Sequence, residues 1–303
     1  MQDPRGLFTS SAWPQLPRPV LVQALDGFVD AGSGRRLARE HLLNALDWEP
    51  LVAFDVDQLV DYRSRRPEMT FTRDHWDGYA APQLAVALVR DLTGVPFLLL
   101  HGAEPAVQWE RFIAAVAILI AELEVRMVVG LNAIPMAVPH TRPPTVIAHA
   151  SPPDLVADYP KWLPTIHVPA SAGNLLEYRL GAAGTPACGF AVAVPYYVAQ
   201  VEYPDAAHVL LDCVARAGEL SLPTEALVQA GELVRAEVDK QVAGSEEVAN
   251  LVRGLERQYD NVAAGRGGAL LADGARLPTA DELGAEFERY LSNRSDPDDG
   301  PPQ

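Results

Sequence analysis

The chain has 303 residues, a length for one or two domains and for a hydrophobic core that needs no metal or disulfide to hold it. Apolar residues make up 49% and charged ones 21%, with a net charge of -16 and an isoelectric point near 4.8. Phosphate binding needs a basic face, so this balance argues against nucleic acid and against an anionic membrane as a main partner.

Two cysteines, Cys188 and Cys213, stand far apart with no CxxC and no histidine cluster beside them, and read as buried thiols of a reducing cytoplasm. No paired-histidine or cysteine spacing suggests a metal, and no signature suggests a cofactor. The opening residues lack the apolar stretch of a secretory signal. The greasiest run, 112–129, is broken by Glu122, Glu124 and Arg126, so we expect no membrane span and a cytoplasmic protein.

Residues 19–25 (PVLVQAL) read as a buried strand, followed by the glycine-rich turn DGFVDAGSG and a helix with Leu37, His41, Leu42 and Leu46 on one side. Residues 51–57 are a second strand. The polar, aromatic stretch 61–79 reads as an excursion, a hairpin or a lid. Strands at 83–91 and 96–102 are joined by a tight LTGV connection, and 104–124 forms a long helix. Strands follow at 126–134, 145–151 and 187–197, with helices at 175–184 and 203–220. Strands alternating with helices predict an α/β fold: a three-layer α/β/α sandwich around a mostly parallel sheet. Beyond Ser221 the strand signal stops, and two helices open with Thr or Ser and then Glu. A glycine-rich loop at 263–279 and a short helix at 281–291 complete the reading. The expected organisation is an N-terminal arm at 1–18, a core domain at 19–220, a helical C-terminal subdomain with an acidic face at 221–291 and a disordered tail at 292–303.

Four stretches carry chemistry-bearing residues. GFVDAGSGRR (27–36) puts Asp30 and Gly32 between a strand and a helix, which suits either an anion held by free N–H groups or a turn capped by Asp30; it matches neither standard nucleotide signature. In HGAEPAVQWERF (101–112), Glu104 sits at a strand end before Pro105, as a helix cap or a ligand group, and Trp109 follows as core or interface. In PHTRP (139–143), two prolines stiffen a turn that presents His140, Thr141 and Arg142. Such a trio can grip a carboxylate or phosphate, do acid–base work, or form a structural polar network in which Arg142 pairs with Glu104 or Asp30. No nucleophile signature accompanies them, and no catalytic residue is assigned. In VPYYVAQVEYP, Tyr196, Tyr197 and Tyr203 cluster near a strand end, as interface or pocket aromatics.

GFVDAG, FLLLHGAEPAVQWERF, IPMAVPHTRP, VPYYVAQVEYP and SEEVANLVRGLERQYD, in this order over residues 19–292, resemble the actinobacterial branch of the proteasome assembly chaperone 2 family. The resemblance implies a sandwich similar to the phosphorylase/hydrolase-like fold with a helical extension, a homo-oligomer with a trimer favoured, and a proteasome-related protein partner. Two features depart from the family pattern. The chain ends DDGPPQ instead of a hydrophobic-Tyr-any tail, and it has Pro195-Tyr196-Tyr197 where relatives often read Pro-His-Tyr. The missing catalytic signatures favour a non-enzymatic assembly or scaffold protein. The alternative is a binder or enzyme whose strand-end cleft gathers Asp30, Gly32, Glu104, His140, Thr141 and Arg142 around an anionic or nucleoside ligand.

Overall fold

The computed structural model describes residues 2–10 and 13–264. The loop, helix and tail expected beyond Ala264 lie outside the described residues. In chain order the elements are β1 (Phe8–Ser10), β2 (Val20–Asp26), α1 (Gly34–Ala45), β3 (Trp48–Phe54), β4 (Met69–Thr72), β5 (His75–Tyr79), β6 (Leu84–Arg90), β7 (Pro96–Ala103), α2 (Trp109–Glu122), β8 (Met127–Met136), β9 (Val146–Ser151), α3 (Ala172–Ala182), β10 (Ala187–Pro195), α4 (Pro204–Gly218), α5 (Glu225–Ala243) and α6 (Glu246–Ala263).

Eight strands form one sheet in the order β1-β3-β6-β7-β2-β8-β10-β9. Its centre, β7-β2-β8-β10, is parallel. The flanks pair antiparallel: β6 on β7, β3 on β6, β1 on β3, and β9 on β10. The sheet is therefore mixed, with β3 also pointing the way of the parallel centre.

Alternation along the strands decides the layers. On β2, Val20, Val22 and Ala24 face a core shared with Ala38 and Leu42 of α1 and Ala206, Leu210 and Val214 of α4. Leu21 and Leu25 face the opposite core, built with Phe112, Val116 and Leu119 of α2 and Leu176 of α3. All nine residues of β10 are buried, as a strand covered on both faces requires. Leu227 and Val238 of α5 belong to the first core cluster, so the fifth helix shares the core of the sheet.

Two expectations need correction. The segment expected as an N-terminal arm enters the fold: Leu7 is fully buried and β1 pairs with β3 at the sheet edge. A three-residue strand is too short to show a period. The helix expected from residue 104 starts at Trp109, because the backbone N–H groups of Ala106 and Val107 donate to Leu59 O (2.7 and 3.3 Å), which keeps that stretch out of the helix. The excursion at 61–79 contains the β4–β5 hairpin, and at its base Arg65 donates to the Asp26 carbonyl at 3.0 Å.

The tight connection between β6 and β7 is organised by one buried carboxylate. Asp91 Oδ1 accepts from Thr93 N, Thr93 Oγ1 and Val95 N, each at 2.8 Å, and Oδ2 accepts from Ser221 N at 2.7 Å. Burial works to raise this carboxyl, but the hydrogen bonds from Ser221, Thr93 and Val95 hold it below the usual carboxylate range.

Candidate functional site

The PHTRP turn follows β8 and leads into β9, with one proline at each end fixing the backbone. His140 is 5% exposed. Its backbone N–H donates to the Tyr197 hydroxyl at 2.9 Å, and the same hydroxyl lies 2.6 Å from Nδ1. The Asp239 carboxylate only accepts, so in the neutral ring Nε2 carries the proton and donates to Asp239 Oδ1 at 3.0 Å, and Nδ1 accepts from the Tyr197 hydroxyl. Burial pushes the pKa of Tyr197 up, so the phenol stays protonated near neutral pH and offers no phenolate.

The next two residues are tied to α6. Thr141 Oγ1 donates to Glu256 at 2.6 Å. Arg142 grips Asp260 with two bonds of 2.9 Å and reaches Glu256 at 3.2 Å, and Tyr259 donates to Pro143 O at 3.0 Å. Glu256, Tyr259 and Asp260 lie at helical i, i+3, i+4 spacing, so one face of α6 takes the whole turn. The hydrogen bonds to Asp260, aided by its charge and that of Glu256, raise the hold of Arg142 on its proton. The two-pronged guanidinium edge that would take a phosphate or carboxylate is thus occupied from within.

Asp30, Gly32 and Glu104 are placed elsewhere. Asp30 caps α1, accepting from the backbone N–H groups of Arg35 (2.8 Å) and Arg36 (3.0 Å), so its own carboxylate fills the anion position at that helix end. Gly32 adopts φ 61°, donates to Ala199 O at 2.7 Å and lies where a Cβ would overlap Tyr203 Cβ, so only glycine fits. Glu104 caps α3, not the helix that follows it in sequence, by accepting from Ala172 N at 2.6 Å. Arg35, 7% exposed, donates from its guanidinium to Val29 O at 3.0 Å. Burial loosens the Arg35 proton, and the charges of Asp30, Asp26 and Glu104 act against that. Arg142 pairs with neither Asp30 nor Glu104, and no hydrogen bond joins Asp30 and Glu104 to the His140 network.

The four expected interface aromatics are not the exposed ones. Tyr203 is 3% exposed, which removes it from any outer surface. Tyr197 is committed to His140, Tyr196 packs edge-on against it with centroids 5.6 Å apart, and Trp109 donates to Pro105 O at 2.5 Å while half-buried. Among the described residues the open aromatics are Phe28, Trp48, Phe71, Trp76, Tyr79 and Tyr178.

A cavity of about 470 Å³ lies where the PHTRP turn meets α4 and α5. His140, Thr141 and Arg142 form one wall, Tyr203, Asp205 and His208 a second, and Val228, Arg235 and Asp239 a third. Asp205 accepts from Arg235 in a close ion pair, and Gly231, one turn earlier on α5, makes room for that carboxylate. Sequence reasoning missed Asp205, His208, Arg235 and Asp239. Asp205 follows Pro204 and looks like an ordinary acid in a first helical turn, and Gly231 four before Arg235 is the one hint that something approaches α5 closely. Among the described residues no group of three or more His, Cys, Asp or Glu side chains is arranged to hold a metal, and no helix is long and apolar enough to cross a membrane.

The model of the PAC2 family matches residues 24–242. A Mycobacterium tuberculosis protein of unknown function is 46% identical, covers 96% of this chain and 97% of its own, and superposes with a TM-score of 0.82. A Corynebacterium glutamicum protein of unknown function is 34% identical over 86% of this chain and 99% of its own, with a TM-score of 0.82. A Mycobacterium tuberculosis protein described as a proteasome-assembly chaperone homologue is 27% identical over 77% of this chain and 99% of its own, with a TM-score of 0.71. No curated protein matches the chain.

Proposed function

The chain belongs to the PAC2 family, and from that premise we propose that it is a non-enzymatic, assembly chaperone-like or scaffold protein that associates with itself and binds protein partners. The observation that carries this reading is the β4–β5 hairpin. Met69, Phe71, Trp76 and Tyr79 are 51, 56, 64 and 54% exposed. Phe71 and Trp76 pack edge-on at 5.1 Å, giving the ribbon an aromatic ridge. A two-stranded ribbon is marginal on its own in water, and exposed apolar side chains gathered on one are a surface for another chain. Aromatic residues of this kind are the usual anchors of protein interfaces. The closed His140–Tyr197–Asp239 network supports the same reading, since its groups hold α5 and the β8–β9 turn together. The description of the M. tuberculosis relative as a proteasome-assembly chaperone homologue makes a proteasome core particle the protein partner to test.

The test is sedimentation velocity on the wild-type chain and on a Phe71→Ser/Trp76→Ser variant, with far-UV circular dichroism to check folding. The expected result is a concentration-dependent oligomer for the wild type and a folded monomer for the variant. A wild-type protein that stays monomeric at tens of micromolar, or a variant that assembles as before, overturns the reading.

A further inference from the structure

On its α3 side the sheet carries a polar slot. Gln23 on β2, Gly130 on β8, Gly189 on β10 and His149 on β9 are neighbours in register, so they form one row across adjacent strands. Alternation turns the row toward α3, because Leu21 and Leu25, on either side of Gln23, pack in the core that Leu176 and Leu180 of α3 share. The two middle members have no side chain, which leaves a trough between Gln23 and His149. Gly173, Asn174 and Glu177 of α3 roof it, and the cavity that remains measures about 20 Å³.

The ends of the trough reach inward over it. A Cβ on Gly173 would lie 2.7 Å from Gln23 Nε2, so the carboxamide sits beneath that glycine. A Cβ on Gly189 would lie 2.8 Å from His149 Nε2 and 2.9 Å from Glu177 Oε2. Gly130 differs: a Cβ there would meet nothing nearer than Gln23 Oε1 at 3.4 Å. The open point of the row is therefore over Gly130.

The groups around that point are short of partners. Gln23 is 7% exposed and lines the cavity, and among the described residues no hydrogen bond reaches its carboxamide. A buried amide is costly to leave unmet. His149 Nδ1 lies 2.8 Å from Glu177 Oε1. The carboxylate only accepts, so in the neutral ring the proton sits on Nδ1 and Nε2 is an acceptor. Asn132, also on the lining, spends Oδ1 on Ala133 N at 3.0 Å and has no hydrogen bond from Nδ2 among the described residues. Gln23 Oε1 and His149 Nε2 thus want hydrogens, and Asn132 Nδ2 offers one. A water needs about 10–15 Å³ and typically makes about three hydrogen bonds, which matches both the space and the partners.

We propose that this slot is a specific hydration site, holding one long-lived water over Gly130 that donates to Gln23 Oε1 and His149 Nε2 and accepts from Asn132 Nδ2. The water ties β2, β8 and β9 together beneath α3. The site does not depend on the hairpin or on self-association.

The test is crystal structures of the full-length wild type, Gly130→Ala and Gln23→Leu, with nitrogen NMR of the His149 ring. The wild type is expected to show a single density peak within hydrogen-bond distance of Gln23 and His149, and a neutral ring protonated on Nδ1. Gly130→Ala, whose methyl meets only ordinary contacts, is expected to evict the water and keep the fold. Gln23→Leu removes the amide and is expected to lose the peak too; it carries the question should Gly130→Ala fail to fold. No peak in the wild type, density of a larger molecule in its place, a peak that persists in either folded variant, or a neutral ring protonated on Nε2 overturns the proposal.

Discussion

Gly231→Ala tests how the α4–α5 contact is built. A Cβ on Gly231 would overlap Asp205 Oδ1 and come within 2.9 Å of Cγ and 3.4 Å of Arg235 Nη1. Alanine is the better helix former by about 1 kcal/mol in a helix interior, so propensity alone predicts stabilisation. Against it, the carboxylate must move off the helix, which pulls it from Arg235 while it stays buried. Stranding one charge of a buried pair costs about 3–5 kcal/mol. The Arg235 side chain is 36% exposed, so water recovers part of the loss. We therefore take about 2–3 kcal/mol for the lost pair, and expect a net destabilisation of about 1–2 kcal/mol after the propensity gain. Gly254→Ala on α6 is the control: nothing lies within 4 Å of its Cβ position, and alanine there should stabilise by about 0.5–1 kcal/mol. Urea unfolding of both variants, followed by far-UV circular dichroism, reads the two signs. Stabilisation by Gly231→Ala as large as by Gly254→Ala would falsify the view that Asp205 needs that space.

Tyr197→Phe removes the acceptor of the His140 backbone N–H and the partner of Nδ1, leaving buried groups unpaired; urea titration should show a loss of about 1–3 kcal/mol, and no loss would mean water fills the role. Asp91→Asn should lower stability near neutral pH by a similar ~1–3 kcal/mol, since its oxygens accept four hydrogen bonds. Its folded pKa lies below the unfolded one, so the Asp91 contribution is full above about pH 4 and fades as pH falls through the folded value. The variant should accordingly show a shallower acid limb when melting temperature is plotted from pH 6 to pH 2, and an unchanged limb would remove Asp91 from the account. Burial pushes the Cys188 thiol up to about 12 and raises Cys213 as well. Neither is a thiolate at pH 8, so a chromogenic disulfide reagent should label the native protein far more slowly than the urea-unfolded chain; fast native labelling of both would contradict the burial.

The sequence alone determined most of the elements, because each is written in consecutive residues. Unbroken apolar runs around Val20–Asp26 and at Ala187–Pro195 make strands covered on both faces, and Ser245, whose hydroxyl accepts from Val248 N, marks the start of α6. The resemblance in GFVDAG, PHTRP and VPYYVAQVEYP fixed the family for the same reason, since short motifs are local. PHTRP was legible as a stiff polar turn from its two prolines. What the turn holds was not legible: Asp239, Glu256 and Asp260 lie about a hundred residues downstream, and only the packing of α5 and α6 against the β8–β9 end brings them to His140 and Arg142. The expected gathering of Asp30 and Glu104 with His140 fails in the same way, since each acid caps a helix N-terminus instead, Asp30 that of α1 and Glu104 that of α3. The cavity is likewise a product of tertiary structure. Its walls come from three separate segments, which meet only once α5 packs over α4 and Arg235 reaches Asp205.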